Sequence, residues 1–201
     1  MRELKARQEE ASRLVVQSSA ASRYVFKAVM LGDFGVGKTC LIKRCVLGIF
    51  LQDYKASIGV DVSSYLVQLD HAEVRLQIWD MSGQHVFRQL RRQYLAGANC
   101  AVIVFDVTRR SSLDGIPFWI EEIQSAGPRI PTALVGNKAD SAEMRVVTAD
   151  EGRQAAKSYG LALYTETSAK SGDNVTAMFR ELASLTLDRY QSMKKKRQEA
   201  H

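Results

Sequence analysis

The sequence predicts an α/β protein whose sheet is mostly parallel and covered by helices on both faces. Three observations lead there. Ala101 to Val107 and Thr132 to Val135 are short, continuously apolar runs, the pattern of strands buried on both sides. Such runs alternate along the chain with segments of helical period. Between one strand-like run and one amphipathic helix lies Gly32-Asp33-Phe34-Gly35-Val36-Gly37-Lys38-Thr39, of the form G-x-x-x-x-G-K-T.

The elements follow in order. Val25 to Leu31 is rich in β-forming residues and predicts a strand over 24–31. Leu41, Ile42, Cys45 and Val46 share one face of a helix over about 38–48. A loop covers about 49–57, and 59–69 is extended. A turn at Asp70-His71 leads to a strand in which Val74, Leu76 and Ile78 alternate with Arg75, Gln77 and Trp79. That pair reads as a hairpin, so one edge of the sheet is expected to be antiparallel. A loop and short helix occupy 81–95, a strand 101–107, and a helix 112–126 with Pro117 early, where proline is tolerated. A strand at 132–135, a helix over 148–159 and a strand at 162–165 complete a six-stranded sheet. Val175, Met178, Phe179 and Leu182 mark the last helix. The domain is expected to span 24–187. Residues 1–23 are read as an extension, helical or disordered: Glu3 and Arg7, and Glu9 and Arg13, have i,i+4 spacing, and Ser18 to Ser22 forms a joint. Residues 188–201 are read as a basic tail.

Composition bounds the function. The chain has 201 residues, 46% hydrophobic and 25% charged, the balance of one globular domain. No apolar run approaches the roughly 20 residues of a membrane helix, and no secretory signal is read near Met1. Three cysteines, Cys40, Cys45 and Cys100, lack metal-ligand spacing and are read as reduced thiols of a cytoplasmic protein. The net charge is +6. Residues 1–23 carry five basic and three acidic side chains, and 188–201 carry five and two, so the two ends hold +5 of it. The nearly neutral body argues against a nucleic-acid partner. The basic tail suits weak contact with acidic headgroups, or a solvated helix end.

The motifs carry the chemistry. Gly32, Gly35 and Gly37 let the backbone curl so that N–H groups converge on an anion, and the following helix N-terminus adds unpaired N–H groups. Lys38 places a cation on the outer phosphates, and the Thr39 hydroxyl suits Mg²⁺. Asp80-Met81-Ser82-Gly83-Gln84 follows the alternating strand: Asp80 to hold a Mg²⁺-bound water, Gly83 to offer an N–H to the terminal phosphate, Gln84 to orient an attacking water. In Asn137-Lys138-Ala139-Asp140, a buried Asp140 carboxylate would accept from guanine N1–H and the 2-amino group, which adenine lacks. Asn137 is placed to brace neighbouring loops and the Lys138 stem to lie along the base. Ser168-Ala169-Lys170 offers backbone N–H groups to the guanine carbonyl.

With these motifs in this order, residues 24–187 resemble the small GTPases of the Ras superfamily, most of all their Rab branch. Lys55-Ala56-Ser57-Ile58-Gly59-Val60-Asp61 and Trp79-Asp80 add to the likeness. The resemblance implies the P-loop NTPase (small G-protein) fold, GTP and GDP as ligands with Mg²⁺, and slow hydrolysis of GTP. It implies that Asp33, Phe34 and the loop from Gly35 through Val36, Gly37, Lys38 and Thr39 to Cys40 surround the phosphates. Phe50 would pack against the guanine edge, Tyr54 close over the phosphates, and Ser57 join Thr39 on the metal. Gln84 and Lys38 would be the catalytic pair. Effectors, exchange factors and activating proteins would read 50–61 and 80–95, with Ile58, Trp79 and Phe87 as the contact surface of a monomer in vesicle traffic.

The sequence also departs from the family pattern. Phe34 stands where the family has a small residue, which predicts slow hydrolysis and admits an alternative: a pseudo-GTPase module that holds GTP with little turnover. Met81-Ser82 and His85 replace commoner residues. No cysteine follows Cys100, so no prenylation and no stable membrane anchor are expected on this sequence: either the natural tail was trimmed, or this is a Rab-like protein without a lipid anchor. An ATP-dependent enzyme is a third reading, opposed by Asn137 and Asp140.

Overall fold

The computed structural model describes residues 22–50, 60–81 and 88–199. Its core is a six-stranded sheet in the order β2-β3-β1-β4-β5-β6. The strands are β1 (Ser22–Leu31), β2 (Val60–Leu69), β3 (Ala72–Met81), β4 (Cys100–Asp106), β5 (Thr132–Asn137) and β6 (Leu163–Thr167). Only the β2–β3 pair is antiparallel, closed by the turn at Asp70-His71; the other neighbours are parallel. This matches the expected sheet with its antiparallel edge.

The period of two in the strands decides what each face buries. From β4, Cys100, Val102 and Val104 join a core formed with α1 (Lys38–Leu47) and α6 (Val175–Glu199). There Leu41, Ile42 and Cys45 of α1 and Met178, Phe179 and Leu182 of α6 pack against Phe26, Met30, Leu76 and Ile78. Ala101, Ile103 and Phe105 point the other way, toward α2 (Arg88–Leu95), α3 (Arg110–Asp114), α4 (Ile116–Ala126) and α5 (Ala149–Ser158). Each helix lays its apolar stripe on one face, so β4 is buried throughout. α5 is capped by a capping box between Thr148 and Glu151.

Several boundaries differ from the sequence reading. The single helix expected over 112–126 is two, interrupted at Gly115. Pro117 lacks an N–H and sits in the first turn of α4, so it starts a new helix rather than continuing α3. β5 continues through Asn137, which is therefore a strand residue. β1 begins at Ser22, paired with Ala72. α6 continues to Glu199, beyond its last buried residue, Leu187.

β2 lies at the sheet edge with only Val67 buried, and Val62 and Leu66 stay exposed. Among the described residues no helix is long and apolar enough to cross a membrane.

The packing makes a contrast that can be measured. Phe179 is fully buried, with its ring 6.1 Å from that of Tyr65. Phe179→Ala is expected to cost about 3–5 kcal/mol, whereas Val62→Ala on the open edge should stay within about 0.5 kcal/mol of the parent. Urea unfolding followed by circular dichroism checks both.

Candidate functional site

The loop between β1 and α1, the ends of β3, β4 and β5, and the loop after β6 lie together beyond the carboxyl ends of the parallel strands. Close packing shapes the first of these. A Cβ at Gly32 would collide with the Val104 carbonyl, and one at Gly37 with Nδ2 of Asn137. Gly37, at φ 98°, is also in the left-handed region at the N-cap of α1. Among the described residues the N–H groups of Gly35, Val36 and Gly37 donate to no other protein group. Such a run of free donors at a helix N-terminus suits an anion.

Lys38 is 7% exposed. Its Nζ folds back over the loop and donates to the carbonyls of Gly32 at 2.7 Å and Asp33 at 2.9 Å. Thr39 Oγ1 donates to Oδ2 of Asp80, which is buried at the end of β3. This hydroxyl–carboxylate pair at the mouth of the loop is an all-oxygen donor set, as Mg²⁺ requires. Among the described residues no cluster of three or more His, Cys, Asp or Glu forms a metal cage. Few protein ligands suit Mg²⁺, which keeps waters and takes phosphate oxygens.

The second half of the site is built on Asn137, 2% exposed at the end of β5. Its Nδ2 donates to the Val36 carbonyl at 2.9 Å. Its Oδ1 accepts from Thr167 Oγ1 at 3.3 Å and from Ala169 N–H at 3.2 Å. The predicted brace is therefore formed, and it ties the loop after β1 to the loop after β6. Lys138 follows with φ 67° and places Nζ 2.6 Å from Asp106 Oδ2. Burial works to raise the Asp106 pKa, but hydrogen bonds from Lys138 and Thr108 outweigh it and hold the carboxyl below its usual range.

The structure also places the residues read as base-recognising. Asp140 is exposed, not buried; the turn after β5 carries it to the rim, where Oδ1 accepts from Ser168 Oγ at 2.6 Å. The Ser168 and Ala169 N–H groups, read as donors to a ligand, are engaged inside the protein by Asp173 and Asn137. Lys170 is exposed beside them. Cys40 is partly exposed, and burial raises its thiol pKa; burial also pushes Cys45 and Cys100 up to about 12. Phe34 is 52% exposed and Phe50 36%. Trp79 is partly buried, with Lys27 Nζ 4.2 Å from its ring centroid. Tyr54, Ser57, Ile58, Gly83, Gln84, His85 and Phe87 lie outside the described residues.

The structure adds residues that sequence reasoning passed over. Trp119 of α4 donates through Nε1 to Asp33 Oδ1 at 2.9 Å, holding the start of the loop. Arg44 of α1 donates through Nε to the Ala169 carbonyl and through Nη1 to the Gly48 carbonyl, both at 2.8 Å. Asp106 ends a continuously apolar run, and that carboxylate at a strand end was the signal that could have found it. Arg109 donates to the Phe34 carbonyl at 2.7 Å, and nothing in its local sequence marks it.

Residues 27–188 match the Ras family. The chain is 40% identical over 161 residues to the Ras-related protein Rab-30 of Homo sapiens, covering 80% of this chain and 79% of that one. It is 36% identical over 168 residues to Rab-19 of Bos taurus, covering 83% and 77%, and 36% over 172 residues to Rab-19 of Rattus norvegicus, covering 82% and 79%. With its phosphate-loop motif, its sheet order and relatives at this identity over most of their length, the chain belongs to the Ras family of small GTPases, in its Rab-like branch.

Proposed function

We propose that this chain is a guanine-nucleotide switch that binds GTP and GDP with Mg²⁺, hydrolyses GTP slowly, and is read by effectors in vesicle traffic. The observation that carries this reading is Asn137. One buried side chain joins the loop built for phosphates to the loop after β6, whose Ser168 donates to Asp140. Phosphate and base recognition thus share one rigid support at the end of the sheet.

The residues divide the work. The N–H groups of Gly35, Val36 and Gly37 face the phosphate oxygens, and Lys38 leaves its two carbonyl acceptors for them. Thr39 and Ser57 would hold Mg²⁺ directly and Asp80 through water, and the bound ion would offset negative charge on the phosphates. Gln84 orients the attacking water for in-line displacement. Asp140 accepts from the guanine edge once the base covers it, Lys138 lies along the base, and Phe50 closes its other side. Residues 50–61 and 80–95 change with the γ-phosphate and are what effectors, exchange factors and activating proteins read. Residues 1–23 and the basic residues 188–201 flank this unit. The latter suit weak contact with acidic headgroups by a monomeric, cytoplasmic protein.

Three outcomes test the proposal. Guanine nucleotide should copurify with the protein and be identified by chromatography; adenine nucleotide there would refute it. Asp140→Ala should weaken GDP at least about 100-fold relative to inosine diphosphate, the loss expected when a paired polar contact to the ligand is removed, as read by competition binding. Phe34→Gly should speed single-turnover GTP hydrolysis at least about tenfold, roughly 1.4 kcal/mol of barrier. No turnover in either form would favour the pseudo-GTPase reading that the exposed Phe34 raises.

A further inference from the structure

The phosphate loop is held from its outer side by a side chain that the proposed chemistry does not use. Arg109 immediately precedes α3, and its backbone is fixed there. Its N–H donates to the Asp106 carbonyl at 2.9 Å, and its carbonyl accepts from Ser112 N–H at 3.1 Å and Ser112 Oγ at 2.6 Å. From this anchored position Nη2 donates to the Phe34 carbonyl at 2.7 Å. Nη1 stands 3.7 Å from where a Cβ on Gly35 would be, so the guanidinium covers the Phe34–Gly35 peptide. Its Nε is buried and, among the described residues, donates to no other group.

The Phe34 carbonyl and the Gly35 N–H belong to one peptide group. In a trans peptide they point in opposite directions, and the described residues contain no cis bond. A cation on the carbonyl therefore acts twice on the N–H. It fixes the direction, away from Arg109. It also polarises the conjugated group, which makes the N–H a stronger donor, as linked hydrogen bonds strengthen one another.

We propose that Arg109 is a positioning residue of the phosphate site, aiming and polarising the Gly35 N–H at the terminal phosphates of the bound nucleotide. This deepens the guanine-nucleotide reading and rests on it. The side chain never needs to touch the ligand: its effect passes through the peptide. Arg110, its neighbour, pairs instead with Asp114 and Glu151 and has no such contact.

The test uses the full chain loaded with GDP. Arg109→Ala is expected to release GDP about tenfold faster, the effect of losing one charge-assisted hydrogen bond. It should also shift the β-phosphate signal in phosphorus NMR, and Arg109→Lys, which keeps a cation with N–H donors, should restore both toward wild type. The preference for guanosine over inosine diphosphate should not change, because Asp140 is untouched. If Arg109→Ala fails to fold, Arg109→Gln takes its place, with the same two readings expected to move in the same directions. Unchanged release and an unmoved β-phosphate signal overturn the proposal, as does faster release with an equal loss of guanine preference, which would mean general loosening. A wild-type protein that retains no GDP overturns the nucleotide reading and this proposal together. Wild-type retention matched by the variant overturns this proposal alone.

Discussion

The side-chain amide of Asn137 is the link on which the rest of the site depends. It reaches the Val36 carbonyl on one side and Thr167 and Ala169 on the other. Buried polar groups are costly when unpaired, so an amide with both ends satisfied holds its partners in one arrangement. The backbone reinforces it. Asn137 C=O accepts from Val107 N–H, and Thr167 C=O from Ala139 N–H, so the ends of β4, β5 and β6 are laced together. Gly37 is required beside it because any side chain there would displace Nδ2.

Around this link two buried carboxylates at the strand ends each meet a donor. Asp80 meets Thr39, and Asp106 meets Lys138. Each carboxylate is itself buried at the end of its strand, where an uncompensated charge would be expensive. The same partners that stabilise them also fix where they point. Arg44 extends the network along α1 to Gly48, from which the chain enters the segment beginning at Phe50. The base loop, the phosphate loop and the start of that segment are thereby in mechanical contact. This is the connection a nucleotide-dependent switch requires, because a ligand can shift a segment only through groups whose contacts differ between states.

Much of this was legible in the sequence because it rests on local pattern. The continuous apolar run before Asp106 could only be a buried strand, and the alternation from Val74 to Trp79 could only be a half-buried one. The brace at Asn137 was legible because its motif follows a buried strand that ends at the same edge as the phosphate loop. What was not legible depends on tertiary placement. Arg109 lies 75 residues from the carbonyl it holds, and no spacing rule links them. Trp119 reads as a core residue, which it also is, and its bond to Asp33 appears only once α4 is docked. The exposure of Asp140 follows from the left-handed turn at Lys138, which lifts the next residues to the rim. The break between α3 and α4 was obscured because Pro117 fits the first turn of a helix as well as it ends the preceding one.

The central claim is that one buried amide couples the phosphate loop to the base loop. Amide hydrogen exchange of the GDP-loaded protein, with and without Asn137→Ala, tests it most directly. The account predicts that residues 33–38 and 168–171 lose protection together and to a similar extent, while β1 and β4 keep theirs. Loss confined to one of the two loops, or to neither, would contradict it.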